Sequence, residues 1–178
     1  MKKDFIAPIV VLLLICIVTT GVLAATNSVT APVIAAAAKE RADAERIAIL
    51  PSADGFELID MELPEGVTEA YAATNGVGYV FIVTASGYGG ADSLIIMAAV
   101  SEEGSIIGVT TLANNETQGL GSRVSEPEYQ GQFVGMDSAL DGYEAVTGAT
   151  ISSEAYRGAV TGALRAFELI KENGGAAK

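Results

Sequence analysis

The sequence predicts an α+β fold: a mainly antiparallel sheet packed with helices, preceded by a single N-terminal transmembrane helix. Three observations predict it. An uncharged apolar run extends from Phe5 to Ala25. Short β-type segments, punctuated by turn residues, fill the chain between Phe56 and Leu112. A clean helical apolar stripe then runs from Tyr156 to Ile170.

Thr19 and Thr20 are the only hydroxyl side chains in the first run. A helix over Phe5 to Ala25 spans about 31 Å, against a bilayer core of about 30 Å. Pro8 is expected in the first helical turn, where its missing N–H costs little. Lys2 and Lys3 precede the run, and Asp4 counts little in the positive-inside rule, so the N-terminus is expected in the cytoplasm and the rest outside. Val22-Leu23-Ala24 also offers the small residues of a signal-peptide cleavage site, but the run exceeds the roughly 7–15 apolar residues of such signals. Leu13-Leu14-Ile15-Cys16 is a poor lipoprotein signal, because Ile15 stands where a small residue is needed. A retained anchor is the favoured reading; either reading exports the domain.

Beyond residue 26 there are 8 basic and 21 acidic residues, a formal charge of −13. Such a surface repels nucleic acid and anionic headgroups. The chain has no His, which excludes imidazole ligation and His-based acid–base catalysis. Its one Cys, Cys16, lies inside the apolar run, so no disulfide framework or Cys-ligated cluster forms within the chain.

Three regions follow in order: a membrane anchor over 1–26, a helical stalk over 27–50 and a globular domain over 51–178. Asn27 to Ala31 reads as a polar exit from the membrane, and Pro32 as the start of a stalk helix rich in Ala, Glu, Lys and Arg. Pro51 and Ser52-Ala53-Asp54-Gly55 end it. Phe56 to Leu63 is a candidate strand stopped by Pro64. Ala70 to Ala73 and Gly78 to Ala85 form a hairpin across Asn75-Gly76. Leu94 to Val100 and Ser105 to Leu112 form a second pair across Glu102-Glu103-Gly104. Residues 113–135 lack periodicity and are too long for a routine connection, which points to function or to short elements of their own. Tyr143 to Val146 is a further candidate strand. Tyr156, Ala159, Val160, Ala163, Leu164, Phe167 and Ile170 mark one face of the last helix, with Ser152 or Ser153 as the expected N-cap and Asn173-Gly174-Gly175 as its end.

Chemistry concentrates in three segments. Thr147-Gly148-Ala149-Thr150 sets two hydroxyls around a pair of small residues just before a helix N-terminus. There, free N–H groups and the helix dipole favour a phosphate, and little side chain blocks a bulky group. Glu116-Thr117-Gln118-Gly119-Leu120-Gly121 is a tight loop able to present backbone and one apolar side chain to a flat ligand. Gly87-Tyr88-Gly89-Gly90 is a turn into the next strand. From the residues alone, a capped glycine turn and an ordinary surface loop are the favoured readings of these segments.

Taken in order, Gly-Tyr-Gly-Gly, Glu-Thr-x-Gly-Leu-Gly and Thr-Gly-Ala-Thr-Ile-Ser-Ser before a terminal amphipathic helix resemble the FMN-binding domain of the G subunit of Rnf electron-transport complexes. The C subunit of the sodium-translocating NADH:quinone reductase shares that domain. The resemblance covers about residues 50–172 together with the N-terminal anchor. It implies an electron-carrier subunit of a membrane-bound, ion-translocating ferredoxin:NAD oxidoreductase, a redox subunit and not an independent catalyst. It implies FMN esterified through its phosphate to Thr150, installed outside the membrane by a Mg-dependent flavin transferase with FAD as donor. Glu116, Thr117, Gly119, Leu120 and Gly121 would then face the flavin, Thr147, Gly148 and Ala149 would shape the attachment loop, and Tyr88 would join the cofactor-binding set. The implied partners are the other membrane subunits, the transferase and membrane lipid. No catalytic residue and no metal site is expected, and the lack of a strand-linked G-x-G-x-x-G excludes NAD binding by this chain.

The chain departs from the family pattern at three places. Gln118 stands where Pro is frequent, Asn114 lies where His is frequent, and Glu144 replaces the Asp usually found six residues before the modified Thr, with Asp141 as a candidate substitute. Two alternatives accompany the main reading: an exported covalent flavoprotein of another electron-transfer system, of the quinone-reductase type or serving extracellular electron transfer, and a pilin-like assembly protein. Gly55-Phe56-Glu57-Leu58-Ile59 resembles a prepilin processing site, but no long apolar helix follows it.

Overall fold

A computed structural model describes residues 2–174, with side chains from Pro8 onward; Gly175, expected to help end the last helix, lies outside them. The chain divides into two compact units, Met1–Ala42 and Asp43–Lys178.

The first unit is helical over all its described residues. Helix α1 (Lys2–Ile49) runs without a break and carries both Pro8 and Pro32 in its interior, so Pro8 is not in the first turn and Pro32 does not start a second helix. The polar residues expected to mark an exit turn bond back onto the helix instead. Ser28 Oγ donates to the Ala25 carbonyl at 2.8 Å and Thr30 Oγ1 to the Thr26 carbonyl at 3.0 Å. Among the described residues α1 is the only helix long and apolar enough to cross a membrane.

The second unit begins with the last turns of α1, so its boundary falls at 42/43, inside the segment expected to be stalk. Five strands follow: β1 (Phe56–Leu58), β2 (Val67–Ala73), β3 (Gly78–Gly87), β4 (Gly90–Ser101) and β5 (Ile106–Asn114). They pair in chain order, each antiparallel to the next. The two expected hairpins are present, with the Gly76 N–H on the Ala73 carbonyl and the Gly104 N–H on the Ser101 carbonyl. β1 stops well short of Leu63. Its last ladder bond is Ile59 N–H to the Ala70 carbonyl, after which Pro64 has no N–H to give and its carbonyl accepts from Val67 to turn the chain.

Both sheet faces are covered, which is why β3 and β4 read as continuous apolar runs. On one face Tyr79, Phe81, Val83, Leu94, Ile96 and Ala98 pack against Tyr156, Ala159, Val160, Ala163, Leu164 and Phe167 of α3 (Thr150–Glu172). On the other, Val80, Ile82, Met97 and Ala99 are buried, and the end of α1 meets this side at Gly108 through Ile49. There Arg46 lies over the Tyr71 ring at 3.6 Å. Beyond β5, a short 3-10 helix (Gly121–Ser125) and α2 (Pro127–Gly131) supply the structure of the aperiodic region. Tyr129 and Phe133 carry it onto Tyr156 through ring contacts at 5.5 and 5.7 Å.

Two local expectations are corrected. Tyr143 to Val146 is not a strand; the Glu144 N–H bonds Gln132 Oε1 and the Val146 N–H bonds Ser153 Oγ. The last helix starts at Thr150 with Ala149 as N-cap, so Ser152 and Ser153 sit inside its first turn and cap nothing at its end. Their hydroxyls are committed to other segments, which leaves the start of the helix without a side-chain cap.

Candidate functional site

A cleft of about 520 Å³ opens at the start of α3, lined by Tyr88, Thr117, Leu120, Gly148, Ala149, Thr150, Ile151 and Ser152. It brings together the three segments singled out in the sequence. Tyr88 comes from the β3–β4 turn, Thr117 and Leu120 from the loop after β5, and the remainder from the junction into α3. Ile151 and Ser152, which the sequence offers only as part of a motif and as a candidate cap, join the lining unexpectedly; the signal for Ile151 is an apolar residue on the polar side of an otherwise well-sorted helix.

The junction is held tightly. The Ala149 N–H reaches the Val146 carbonyl at 2.9 Å, and the Ser153 N–H reaches the Ala149 carbonyl at 2.9 Å. Gly148 has φ +84°, a left-handed conformation that favours glycine. A Cβ there would stand 3.6 Å from Leu120 Cδ2, so Gly148 lies against the loop. Thr150 and Thr147 are exposed, whereas Ala149 is buried. The N–H groups of Thr150, Ile151 and Ser152 precede the first intrahelical bond, and no side chain caps them. A phosphate can therefore take those donors in the favourable field of the helix end.

The cleft wall is apolar where a ring would lie. Tyr88, Leu120 and Ile151 are among the few large hydrophobic side chains of the domain left exposed, at 71, 49 and 58%. Exposed apolar groups grouped around one opening mark a binding surface. A groove of about 560 Å³ between Ile59–Pro64 and the C-terminal end of α3 is slightly larger. It carries Asp60 and Glu62 and lies at the negative end of the helix, so it disfavours a phosphate.

Glu116, Gly119, Gly121 and Thr147 do not line the cleft. Glu116 is buried, and its carboxylate accepts from the Tyr88 and Gly89 N–H groups, both at 3.0 Å, and from the Ser152 hydroxyl. Burial alone would raise this carboxyl, but hydrogen bonds from Ser152, Ser93, Gly89 and Tyr88 outweigh it and hold the group below its ordinary value. The loop closes without a proline at Gln118. The Leu120 and Ser122 N–H groups both reach the Thr117 carbonyl, and the Gly119 N–H bonds Ser122 Oγ. Asn114, where His is frequent in the resembling family, bonds Ser125 and accepts the Glu116 N–H. Glu144 and Asp141 are exposed. Glu144 lines a separate cleft with Arg123, Glu126 and Glu128, outside the one that holds Thr150.

An uncapped helix start beside an exposed Thr, a small-residue approach and an apolar wall fit a phosphate-bearing planar ligand, and residues 87–165 match the model of the FMN-binding domain family. The chain is also 31% identical over 153 residues to the G subunit of the proton-translocating ferredoxin:NAD(+) oxidoreductase complex of Clostridium ljungdahlii, covering 79% of each chain. It is 30% identical over 187 residues to the G subunit of the Na(+)-translocating complex of Acetobacterium woodii, covering 89% of each. With the G subunit of an ion-translocating oxidoreductase complex from Shewanella baltica the identity is 31%, over 94% of this chain and 91% of the relative. The chain belongs to the G-subunit family of the Rnf, or ion-translocating ferredoxin:NAD oxidoreductase, complexes. It is thus a membrane-associated electron-transport protein with an FMN-binding domain and a helix of membrane-crossing length.

Proposed function

We propose that this chain carries FMN as a phosphoester on Thr150 and passes electrons between it and neighbouring subunits of its complex. The observation that carries this reading is the position of Thr150: an exposed hydroxyl at the first residue of α3, in the cleft wall, beside three N–H groups without intrahelical partners. In the attachment step Thr150 Oγ1 displaces AMP from FAD, forming the Thr150 oxygen–phosphorus bond as the pyrophosphate bond breaks and the hydroxyl proton leaves to a base. Thr is a weak nucleophile at neutral pH and the chain has no His to activate it, so that base and the Mg²⁺ belong to a separate flavin transferase. The flavin, once bound, supplies the redox chemistry.

The chain's own residues hold and shield it. The N–H groups at the start of α3 take the phosphate oxygens. Tyr88, Thr117 and Leu120 give the ring a wall, Gly148 and Ala149 keep the approach free of bulky side chains, and Thr147 joins them in shaping the attachment loop. Gly119 and Gly121 shape the loop that presents Leu120, and Glu116 stands behind that loop, outside the cleft lining. We further propose a single pass over 1–26 with a cytoplasmic N-terminus, a stalk over 27–50 and a domain outside the membrane over 51–178, with lipid around the apolar segment. Phe5 to Ala25 contains no carboxylate, so the ion path lies in other subunits.

The test is intact-mass analysis of the chain from a host that also makes a flavin transferase. The expected result is an added mass of FMN minus water on the peptide containing Thr150, and a yellow fluorescent band that survives denaturation. Thr150→Val loses both. A wild-type chain from an active complex that releases all its flavin on denaturation overturns the ester.

A further inference from the structure

We propose that Glu116 is the positioning residue of this cleft: its carboxylate, set outside the lining, ties the Tyr88 turn, the Thr117–Leu120 loop and the start of α3 into one site. The proposal rests on reading the cleft as the FMN site, and it replaces the expectation that Glu116 faces the flavin. Glu116 is the only buried carboxylate among the described residues. Its partners are the Tyr88 N–H, the Gly89 N–H and the Ser152 hydroxyl, which lie 28, 27 and 36 residues away in the chain. Each of the three segments that line the cleft therefore either bonds this carboxylate or, as the Thr117 loop does, begins beside it. Its own backbone is fixed too, since the Glu116 N–H donates to Asn114 Oδ1 at 2.9 Å.

The neighbouring glycines make room for the carboxylate. A Cβ at Gly87 would come 2.6 Å from Glu116 Oε1, and one at Gly89 would come 3.0 Å from the same oxygen. A Cβ at Gly121 would come 2.6 Å from Ser152 Oγ and 2.7 Å from Glu116 Cβ. Three side-chain-free positions from two loops thus converge on one acidic group. Its partners are all donors, so only a group with acceptors on both sides satisfies them. Gln turns an NH₂ toward a donor, and Asp is one methylene too short to reach both loop and helix. The consequence is placement: Tyr88 and Leu120 face Thr150 across the opening only while this knot holds.

The experiment uses the full chain in detergent, prepared with and without the transferase. Without it, amide exchange is read at Tyr88 and Gly89. Both residues are exposed, so protection there reports the carboxylate. We expect at least about tenfold slower exchange at these two amides in the wild type than in Glu116→Gln or Glu116→Asp, with the later turns of α3 unchanged. With the transferase, the FMN-carrying fraction is expected to fall to about a tenth or less in both variants. Ser152→Ala, which removes one donor, is expected to lose part of the loading and part of the protection, and it keeps the test open should the Glu116 variants fail to fold. Equal exchange in wild type and Glu116→Gln overturns the proposal, as does full loading of Glu116→Gln. Restoration by Glu116→Asp also overturns it, because charge and not placement would then be sufficient. A wild-type chain that accepts no flavin counts against the FMN reading alone, and the exchange comparison still decides the knot.

Discussion

Glu116 and Arg46 are the two charged side chains buried among the described residues, and they are accommodated in opposite ways. Glu116 is surrounded by directional donors: two backbone N–H groups and a hydroxyl from distant segments. Arg46 is held mainly by ring faces, Tyr71 at 3.6 Å and Phe56 at 5.8 Å, with one ion pair to the half-exposed Asp43. Its Nε has no partner. The difference teaches what each charge is for. An anion fixed by several donors sets the geometry of the groups that bind it. A cation laid on aromatic rings contributes mostly covering area and tolerates a change of head group.

The largest expected effect that tests this contrast is Glu116→Ala. It strands the donors of three segments, and we expect a loss of about 2–4 kcal/mol in urea unfolding of the flavin-free chain. A loss below that of Arg46→Met would break the comparison. Next is Gly121→Ala, whose methyl meets Ser152 Oγ and Glu116 Cβ at 2.6 and 2.7 Å; the expected cost is about 1–3 kcal/mol. Its counterpart on the other face is gentler. At Gly108 a Cβ would stand 3.0 Å from Ile49 Cγ1, a looser approach than the 2.6 Å at Gly121, so Gly108→Ala is expected to cost under about 1.5 kcal/mol. Arg46→Met keeps the apolar cover and removes an unsatisfied N–H, and it too is expected to cost under about 1.5 kcal/mol.

The smallest effect is in pH. The Glu116 carboxyl is held below its ordinary value of 4.5 in the fold, so its contribution is complete above that value and is lost as pH falls through the lower folded value. Thermal unfolding followed from pH 6 toward pH 3 is expected to show a steeper acid loss in the wild type than in Glu116→Gln. Parallel curves would place the acid sensitivity elsewhere.

The same contrast shows how far the sequence could be read. Hairpins with Asn75-Gly76 and Glu102-Glu103-Gly104 are local, as is the stripe from Tyr156 to Ile170, and all three are present. Family resemblance brought Tyr88, Thr117, Leu120 and Thr150 forward, and they share one cleft. What could not be read is non-local. Ser152 and Ser153 look like caps because capping is the local use of a Ser before a helix. Their actual partners, Glu116 and Val146, are fixed by tertiary structure. The end of α1 reads as solvated stalk because its charges are spaced for a helix surface. Only the aromatic pair Phe56 and Tyr71 turns Arg46 inward. Pro8 and Pro32 read as boundaries, yet α1 continues through both.

Strict pairing of the strands in chain order has a consequence for assembly. A meander of this kind grows by successive hairpins, each new strand adding to the one just made, with little loop entropy to overcome. Its exposed apolar face waits for α3, which comes last. Thr150, Ile151 and Ser152 belong to that final helix, so the Thr150 hydroxyl meets Tyr88 and Leu120 only when the core has closed. If FMN is esterified to Thr150 as proposed, attachment would read out completed folding: a half-built chain has the threonine but not the pocket.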